Sequence, residues 1–436
     1  MERYIDGDDT GLISFDVDKK QFGDMEILGV LIAVERSEGK INPIRNVKVG
    51  GSIFNNPVLY DGKVYFGACD KNFYVLNADT GEEIWRFETG DVISSSPCID
   101  DGIVYFGGYD KNFYAISAGA GDLVWKFQTN GLIFSTPVIR KGVVYFGSCD
   151  NNFYALDAKT GHAVWRFPTN GPICSHPIIH RDVLYFGSAD NNFYALSLDG
   201  KMLWKFPVNF EVRLMAAASD DSIYFGSMDK NLYAVTTEGK LKWKFKTNNS
   251  ISTSVAYANK TVYAGSRDNY LYAVDADTGK EKWKFKTLSM VFEAPKIHGG
   301  SVYFGGCDNI FYALDEVTGT KKWDFKTNGM VSSIPAIKNN IVYFGCWDCN
   351  FYALSLDTRN VLWKFHTGLS YPSPIDIENP TLTQTAEVAW IPETEDEKRK
   401  AHDEIDISDY GEFKGTYIDT GKTDYLGIKK KGYKTA

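Results

Sequence analysis

Residues 144–170 read VYFGSCDNNFYALDAKTGHAVWRFPTN, and the chain repeats this stretch with few changes. It recurs as VYFGACDKNFYVLNADTGEEIWRFETG over residues 64–90 and as VYFGGYDKNFYAISAGAGDLVWKFQTN over residues 104–130. One tyrosine marks every copy, at Tyr65, Tyr105, Tyr145, Tyr185, Tyr224, Tyr263, Tyr303 and Tyr343. A constant period of 39 or 40 residues is typical of repeat architectures, and it predicts eight copies of one unit.

Within each copy the apolar residues alternate with a period of two, which indicates β-strands. In the second copy we predict strands over 93–99, 104–107, 113–117 and 124–128, with Asp101-Gly102 as a hairpin turn. Eight four-stranded antiparallel units of this size fit the blades of a β-propeller, whose closure leaves only short edges. The alternative, a linear β-solenoid, has shorter coils and lacks hairpins.

The prediction is therefore an all-β chain with an eight-bladed β-propeller of four-stranded antiparallel blades over residues 42–377. A short N-terminal segment (1–41) precedes it, and an extended or partly disordered C-terminal tail (378–436) follows. Ring closure is left open, because Asn55-Asn56-Pro57-Val58 and Pro372-Ser373-Pro374-Ile375 both align with an innermost strand. We expect the amino-terminal segment to complete the ring alongside the carboxy-terminal one.

Composition limits the classes of partner. The 436 residues include 47 Lys and Arg against 56 Asp and Glu, a net charge of −9. A general nucleic-acid or anionic-membrane binder would show a basic surplus, so neither partner is expected. The seven Cys are thinly spread, and no secretory signal or apolar run of about 20 residues is visible, which favours the cytoplasm.

The run Y-F-G-x-x-D-x-N-x-Y-A-L-x-A-x-T-G-x-x-x-W, as in 145–165 and 303–323, resembles the repeat of pyrroloquinoline-quinone (PQQ)-type propellers. The resemblance covers about residues 42–377. It implies that an indole of the outer strand packs on a Gly-containing turn of a neighbouring blade. The residues expected to dock blades in this way are Gly81, Trp85, Trp125, Gly161, Trp165, Trp204, Trp243, Gly279, Trp283, Gly319, Trp323 and Trp363. Units two and eight depart from the Thr-Gly pattern, so docking is expected to be weakest beside the eighth blade.

The resemblance also raises the question of PQQ chemistry. Dehydrogenases of this family are implied to hold the quinone at the centre with a Trp platform, a vicinal Cys-Cys disulfide and Glu, Asn and Asp around calcium. This chain has no adjacent Cys pair, and Glu293 is the one carboxylate on the predicted innermost strands. Its periodic Trp fall on outer strands. We therefore expect no cofactor, no metal and no catalytic residues.

Two further patterns have structural interpretations. Cys346 and Cys349 form a single CxxC, which without a second one favours reduced, space-filling cysteines over a metal or redox pair. An Asp occupies the second turn of every unit, as at Asp150, and a position filled in every blade indicates a turn cap.

The positions where the repeats disagree are the candidates for function. By the resemblance they line the mouth of the central channel. They are Phe54, Tyr109, Phe134, His176, Arg213, Arg267, Phe292, Glu293 and Trp347. Two interpretations stay open, because these side chains either plug a wide hole or bind a peptide or small ligand.

The sequence favours a non-catalytic scaffold that binds a protein partner through a loop face and the C-terminal tail. No triad, phosphate loop, Walker motif or HExxH motif is present, and the chain contains only six His. The alternatives are a quinoprotein dehydrogenase-like enzyme and a metabolite sensor at the mouth around Arg213 and Glu293.

Overall fold

The computed structural model describes residues 51–368, together with the backbone of residues 10–12, 33–37 and 40–43. The chain divides into two compact units, Gly51–Leu369 and a unit formed by Met1–Gly50 with Ser370–Ala436. The predicted C-terminal tail over 378–436 lies outside the described residues, as do the last residues of the predicted propeller and the segment Pro372-Ser373-Pro374-Ile375.

The unit that contains the chain's first residues includes one small sheet. Its three strands, Thr10–Leu12, Ala33–Ser37 and Lys40–Pro43, pair antiparallel in chain order. In their register Thr10 lies opposite Glu35, and Val34 lies opposite Pro43.

The second unit consists of eight four-stranded antiparallel sheets, each built from four consecutive strands. This is an eight-bladed β-propeller, and the fold prediction is confirmed. Blades 1 to 4 contain the strands Val58–Tyr60, Lys63–Gly67, Asn72–Asn77, Glu83–Glu88; Cys98–Asp100, Ile103–Gly107, Asn112–Ser117, Leu123–Gln128; Val138–Arg140, Val143–Gly147, Asn152–Asp157, Ala163–Pro168; and Ile178–His180, Val183–Ser188, Asn192–Ser197, Met202–Pro207.

Blades 5 to 8 continue the same order from the axis outward. Their strands are Ala217–Ala218, Ser222–Gly226, Asn231–Thr236, Leu241–Lys246; Val255–Ala258, Thr261–Gly265, Tyr270–Asp275, Glu281–Lys286; Lys296–His298, Ser301–Gly305, Ile310–Asp315, Lys321–Lys326; and Ala336–Lys338, Ile341–Gly345, Asn350–Ser355, Val361–His366. Within the described ranges there is no helix with the length and apolar character that a membrane span requires.

The local sequence explains the hairpin that opens blade 2. Asp101 and Gly102 have φ of 47° and 71°, and two positive φ values at the centre of a two-residue turn are those of the type I′ turn that matches strand twist. The first strand of blade 2 is Cys98–Asp100, so only Cys98 and Ile99 of the predicted residues 93–99 belong to it. The preceding residues instead form bonds outside the ladder, such as Ser95 Oγ to the Gly107 carbonyl at 3.0 Å.

Adjacent blades meet at an outer seam of tryptophan and glycine. Trp125 of blade 2 covers Gly161 of blade 3, and a Cβ added to this glycine would lie 2.6 Å from the indole Cδ2. The indole Nε1 of Trp125 donates to the Ala158 carbonyl at 3.0 Å, and the Tyr105 hydroxyl donates to the same oxygen at 2.9 Å. The other pairs are Gly81 with Trp363, Gly121 with Trp85, Gly200 with Trp165, Gly239 with Trp204, Gly279 with Trp243, and Gly319 with Trp283.

The outer seam is incomplete at the two blades whose turns depart from the Thr-Gly pattern. Trp85, which packs on the turn of blade 2, has a buried Nε1 without an acceptor among residues 51–368. In the turn of blade 8, Arg359 occupies the place of the glycine and keeps a φ of 64°. An L-residue with a side chain is strained in this left-handed conformation.

A second, inner seam lies near the axis. A glycine in each second strand faces the Ile or Val that precedes the first strand of the next blade. A Cβ on Gly147 would lie 2.3 Å from Ile173 Cγ2, and the Ile173 amide donates to the Ser148 carbonyl at 3.1 Å. This role of the glycine in the Tyr-Phe-Gly triplet was not predicted from the sequence, because the apolar residue that requires it lies about 26 positions later.

The ring closes through the same two seams. Of the two candidate closing segments, Asn55-Asn56-Pro57-Val58 leads into the first strand of blade 1, and Pro372-Ser373-Pro374-Ile375 lies outside the described residues. Blades 1 and 8 are each formed from their own consecutive strands. The Ile53 amide donates to the Cys346 carbonyl at 3.1 Å, and Trp363 Nε1 donates to the Ala78 carbonyl at 3.1 Å. The Phe66 and Phe351 rings stack with centroids 4.3 Å apart. Side-chain packing and non-ladder hydrogen bonds replace strand exchange.

Candidate functional site

The antiparallel order of strands places two sets of loops on one face of the ring. These are the loops that connect one blade to the next and the turns between second and third strands. The first-strand hairpins and the third turns lie on the opposite face. We call the axial end of the first face the mouth, and the residues of the innermost segments the hub. The nine residues singled out by sequence all lie at the mouth or in the hub.

Two aromatic pairs span blade boundaries at the mouth. The rings of Tyr109 and Phe134, from blades 2 and 3, lie 4.8 Å apart at 69°. The rings of Phe54 and Trp347, from blades 1 and 8, lie 5.9 Å apart at 47°. Trp347 Nε1 also donates to Ser332 Oγ at 2.6 Å. The side chains are therefore held by neighbours in fixed orientations.

Two arginines of the mouth are held by hydrogen bonds. Arg213 Nε lies 2.5 Å from Glu211 Oε2, and both side chains are largely buried, with exposed fractions of 14% and 6%. Arg267 Nε donates to Ser252 Oγ at 2.8 Å. The structure thus places Glu211 beside Arg213. Glu211 was missed by sequence reasoning, although a carboxylate two residues before an arginine was an available signal in blade 5, where residues 213–216 read RLMA at the place of Ser-Ser-x-Pro.

His176 lies at the boundary between two blades. Its Nδ1 accepts a hydrogen bond from the Thr136 amide of the preceding blade at 2.8 Å. Burial lowers the pKa of His176 to about 4, because the imidazolium form loses hydration inside the protein. The ring is therefore neutral at pH 7 and joins two blades.

Glu293 is a buried carboxyl in the hub, at a position where five of the seven other blades carry Ser or Thr. Its side chain is 8% exposed, and its Oε2 has no hydrogen-bond partner among residues 51–368. Burial raises the pKa of Glu293 to about 7, because the carboxylate form is the one that loses most by leaving water. Phe292 beside it is half-buried.

The hub does not fit the calcium and quinone of PQQ enzymes. Calcium requires about six to eight oxygen ligands. Of the two hub carboxyls, Glu211 is bound to Arg213, and Glu293 is buried, with a pKa raised by the loss of hydration. In the described part of the chain no three His, Cys, Asp or Glu side chains converge as metal ligands would. The eight repeated tryptophans lie on outer strands, away from the axis.

The cysteines and turn aspartates have structural surroundings. Cys346 Sγ donates to the Gly329 carbonyl at 3.3 Å, and burial raises the pKa of the Cys349 thiol to about 12, so that it stays protonated. Asp150 accepts from the Asn152 amide at 3.1 Å, from the Tyr154 hydroxyl at 2.7 Å, and from the Asn130 amide of the preceding blade at 3.0 Å. Such an aspartate fixes its own turn and also links two blades.

Comparison with known families identifies the family to which this propeller belongs. A family model described as the beta-propeller of beta-alanine-activating enzyme matches residues 28–259, more than half of the chain. The chain belongs to this family of PQQ-like β-propellers. A second model, described as outer membrane protein assembly factor BamB, matches residues 228–370. The search of curated proteins found no match.

Several solved structures are similar to this propeller. The computationally designed protein Ika8 has a TM-score of 0.61 and 18% identity, over 68% of this chain and 94% of that one. BamB from Moraxella catarrhalis has a TM-score of 0.60 and 18% identity, over 72% and 97%. Quinohemoprotein alcohol dehydrogenase from Comamonas testosteroni has a TM-score of 0.59 and 15% identity, over 70% of both chains. At these identities the likeness shows the fold alone.

Proposed function

We propose that the protein is a non-catalytic, cytoplasmic scaffold that binds a protein partner through its mouth face, with the C-terminal segment after residue 378 as an additional contact. The observation that carries the proposal is the difference between the mouth and the rest of the ring. The seams repeat the same residues around the ring, whereas the mouth collects aromatic and arginine side chains that vary from blade to blade.

Such side chains are suited to recognition of a protein surface. Trp, Tyr and Arg are enriched among the residues that dominate interface energies. Trp347 and Arg267 are already oriented by Ser332 and Ser252, so little side-chain freedom is lost when a partner binds. One matching family model is described as an assembly factor, which is consistent with a propeller that binds proteins.

A pair of charge reversals tests this face against the opposite one. In Arg267→Glu the changed residue lies at the mouth, and in the control Arg140→Glu it lies on a hairpin of the opposite face, where it is paired with Asp182 at 2.8 Å. We expect Arg267→Glu to reduce recovery of the partner from native lysate at least about tenfold, and the control to have little effect. Equal recovery by both variants contradicts the proposal.

Photo-crosslinking identifies the contact directly. A benzophenone amino acid at Phe292 places the probe at the mouth, and the same probe at Tyr60, which is 41% exposed, places it on the opposite face. The scaffold function predicts that one polypeptide is linked from the mouth and is absent from the control. Linking of the same species from both positions contradicts it.

A small-ligand site is the second candidate, because the unpartnered Glu293 oxygen in the hub resembles a group kept for a ligand. A metabolite that raises the melting temperature of the wild type, but not of Glu293→Gln, supports this function over the scaffold. A quinoprotein enzyme predicts dye-linked alcohol oxidation after addition of PQQ and calcium, a reaction for which the hub lacks matching ligands.

A further inference from the structure

The outer strands of three consecutive blades form a basic arc on the circumference of the ring. They read LKWKFK over Leu241–Lys246, EKWKFK over Glu281–Lys286 and KKWDFK over Lys321–Lys326. These strands contain nine lysines and two carboxylates, a net charge of +7. The outer strands of the other five blades contain five Lys or Arg and two Glu, a net charge of +3. A protein of net charge −9 thus concentrates positive charge in three blades, which we call the lysine arc.

The lysines of the lysine arc differ in whether they have a carboxylate partner. The residue before the tryptophan reaches back into its own blade, since Lys242, Lys282 and Lys322 lie 3.0, 3.4 and 3.2 Å from Asp221, Asp275 and Asp315. Two others pair along their own strand, Lys284 with Glu281 and Lys321 with Asp324. The lysines that are exposed and have no carboxylate partner within residues 51–368 are Lys244, Lys246, Lys286 and Lys326.

Each outer strand also has an open edge. In the described residues it pairs with the third strand of its blade and with no other strand. Lysine on such an edge discourages pairing between identical molecules. If this were the only role of the lysines, the outer strands of all eight blades would be expected to carry them. The other five blades instead have exposed or half-exposed apolar residues before the tryptophan, namely Ile84, Val124, Val164, Leu203 and Leu362.

We propose that the lysine arc binds an acidic, extended polypeptide segment of a partner protein, a contact separate from the mouth. Lys244 and Lys246 are two residues apart on one strand and so lie on one face of it, about 7 Å apart. Carboxylates at every second position of an added strand match this spacing, while the backbone of that strand pairs with the open edge.

The arc favours a polypeptide over a nucleic acid. The unpaired backbone groups of a sheet edge are satisfied by another peptide strand and not by a nucleotide chain. Single-stranded nucleic acids stack their bases on open aromatic rings. Here the Lys284 ammonium lies over the rings of Tyr270 and Tyr272, at 5.7 and 5.9 Å.

The test uses the full chain and a labelled peptide of alternating Glu and Thr at an ionic strength of about 0.05 M, where charge attraction is weakly screened. The variant Lys244→Glu, Lys246→Glu, Lys286→Glu, Lys326→Glu reverses the unpartnered lysines. The control Arg86→Glu, Lys126→Glu, Arg166→Glu, Lys205→Glu reverses as many charges on the outer strands of blades 1 to 4. We expect the arc variant to bind at least about tenfold more weakly, and the control to change by less than about twofold. Melting curves show that both variants fold.

Two further probes separate the parts of the proposal. A Glu-Thr peptide with every backbone amide N-methylated keeps the charge but cannot donate to an edge, so it is expected to bind at least about fivefold more weakly. Equal affinity of the N-methylated peptide overturns edge pairing. An acidic polypeptide is ruled out as the ligand if the arc variant and the control lose the same affinity for the Glu-Thr peptide. It is also ruled out if a single-stranded oligonucleotide binds the lysine arc more tightly than the Glu-Thr peptide does.

Discussion

The seams between blades repeat the same residues from blade to blade, whereas the residues at the mouth of the channel vary. At the outer seam a tryptophan covers a turn glycine and, in most blades, donates to the same carbonyl position. At the mouth the equivalent positions hold Phe134 in blade 3, Arg213 in blade 5 and Ser252 in blade 6.

The difference shows which residues the fold requires. A seam position has the same neighbour in every blade, so the same residue type satisfies it each time. A mouth position touches its neighbours and the solvent at the axis, and the ring stays closed whichever side chain is present. Substitutions at seams are therefore expected to change stability, and substitutions at the mouth to change binding.

The largest effect is expected from breaking one outer seam. Gly161→Ala places a Cβ 2.6 Å from the Trp125 ring at a φ of 73°, so overpacking and backbone strain add up. We expect a loss of about 3–4 kcal/mol in the free energy of unfolding. Gly142→Ala has a similar φ of 74° and nothing within 4 Å of the new Cβ, so it is expected to cost only about 1 kcal/mol. Equal urea midpoints for the two variants would show that the seam contact is unimportant.

A pH series tests the hub next. The folded state raises the pKa of Glu293 from 4.5 to about 7, so between these values the folded protein binds more protons than the unfolded one. The contribution of this group is present below about pH 4.5 and is lost as pH rises through 7, by up to about 3 kcal/mol. Glu293→Gln lacks this titration. The difference in stability between the two proteins is expected to shift toward the variant as pH rises from 5 to 8, and a constant difference would contradict a buried, titrating Glu293.

A smaller effect separates the hydrogen bond of the seam from its packing. Trp165 Nε1 donates to the Leu198 carbonyl at 3.0 Å, whereas the buried Nε1 of Trp85 has no acceptor within residues 51–368. Both rings cover a glycine. Trp165→Phe is expected to cost about 1 kcal/mol more than Trp85→Phe in chemical denaturation, because only the first loses a hydrogen bond. The reverse order would show that packing alone decides the seam.

The smallest expected effect is an increase in the free energy of unfolding. Arg359→Gly removes the side chain from a residue with a φ of 64°, in the one third turn of the described blades that has a non-glycine residue in this place. We expect an increase of about 1 kcal/mol in stability. Arg359→Ala keeps the Cβ and serves as the control, which should not show the gain. If Arg359→Gly and Arg359→Ala have the same melting temperature, any change from the wild type comes from loss of the guanidinium group and not from relief of backbone strain.

The sequence was sufficient for the fold because the repeat fixes each blade locally. Tyrosine spacing gave the number of blades, and the Asp-Gly pair gave the first hairpin. Features that depend on the next blade were harder to predict. The first strand was drawn too long because Ile93 bonds to the Ala68 carbonyl of the preceding blade and not within its own ladder.

At the candidate site the sequence found positions but not pairings. It selected Tyr109 and Phe134, and the structure places their rings together. It selected Arg213 but not Glu211, which the local turn brings to Arg213. Which carboxylate faces an arginine depends on side-chain direction in an irregular segment, and no periodic pattern encodes that.

Closure of the ring depends on the boundary between blades 8 and 1, and native-state hydrogen exchange at one amide reports on this boundary. The Ile53 amide donates to the Cys346 carbonyl across the boundary of blades 8 and 1, as the Ile173 amide donates to Ser148 within the series. A closed ring predicts that Ile53 and Ile173 exchange within about tenfold of each other. Exchange of Ile53 at the rate of an unstructured peptide, with Ile173 still protected, would contradict closure.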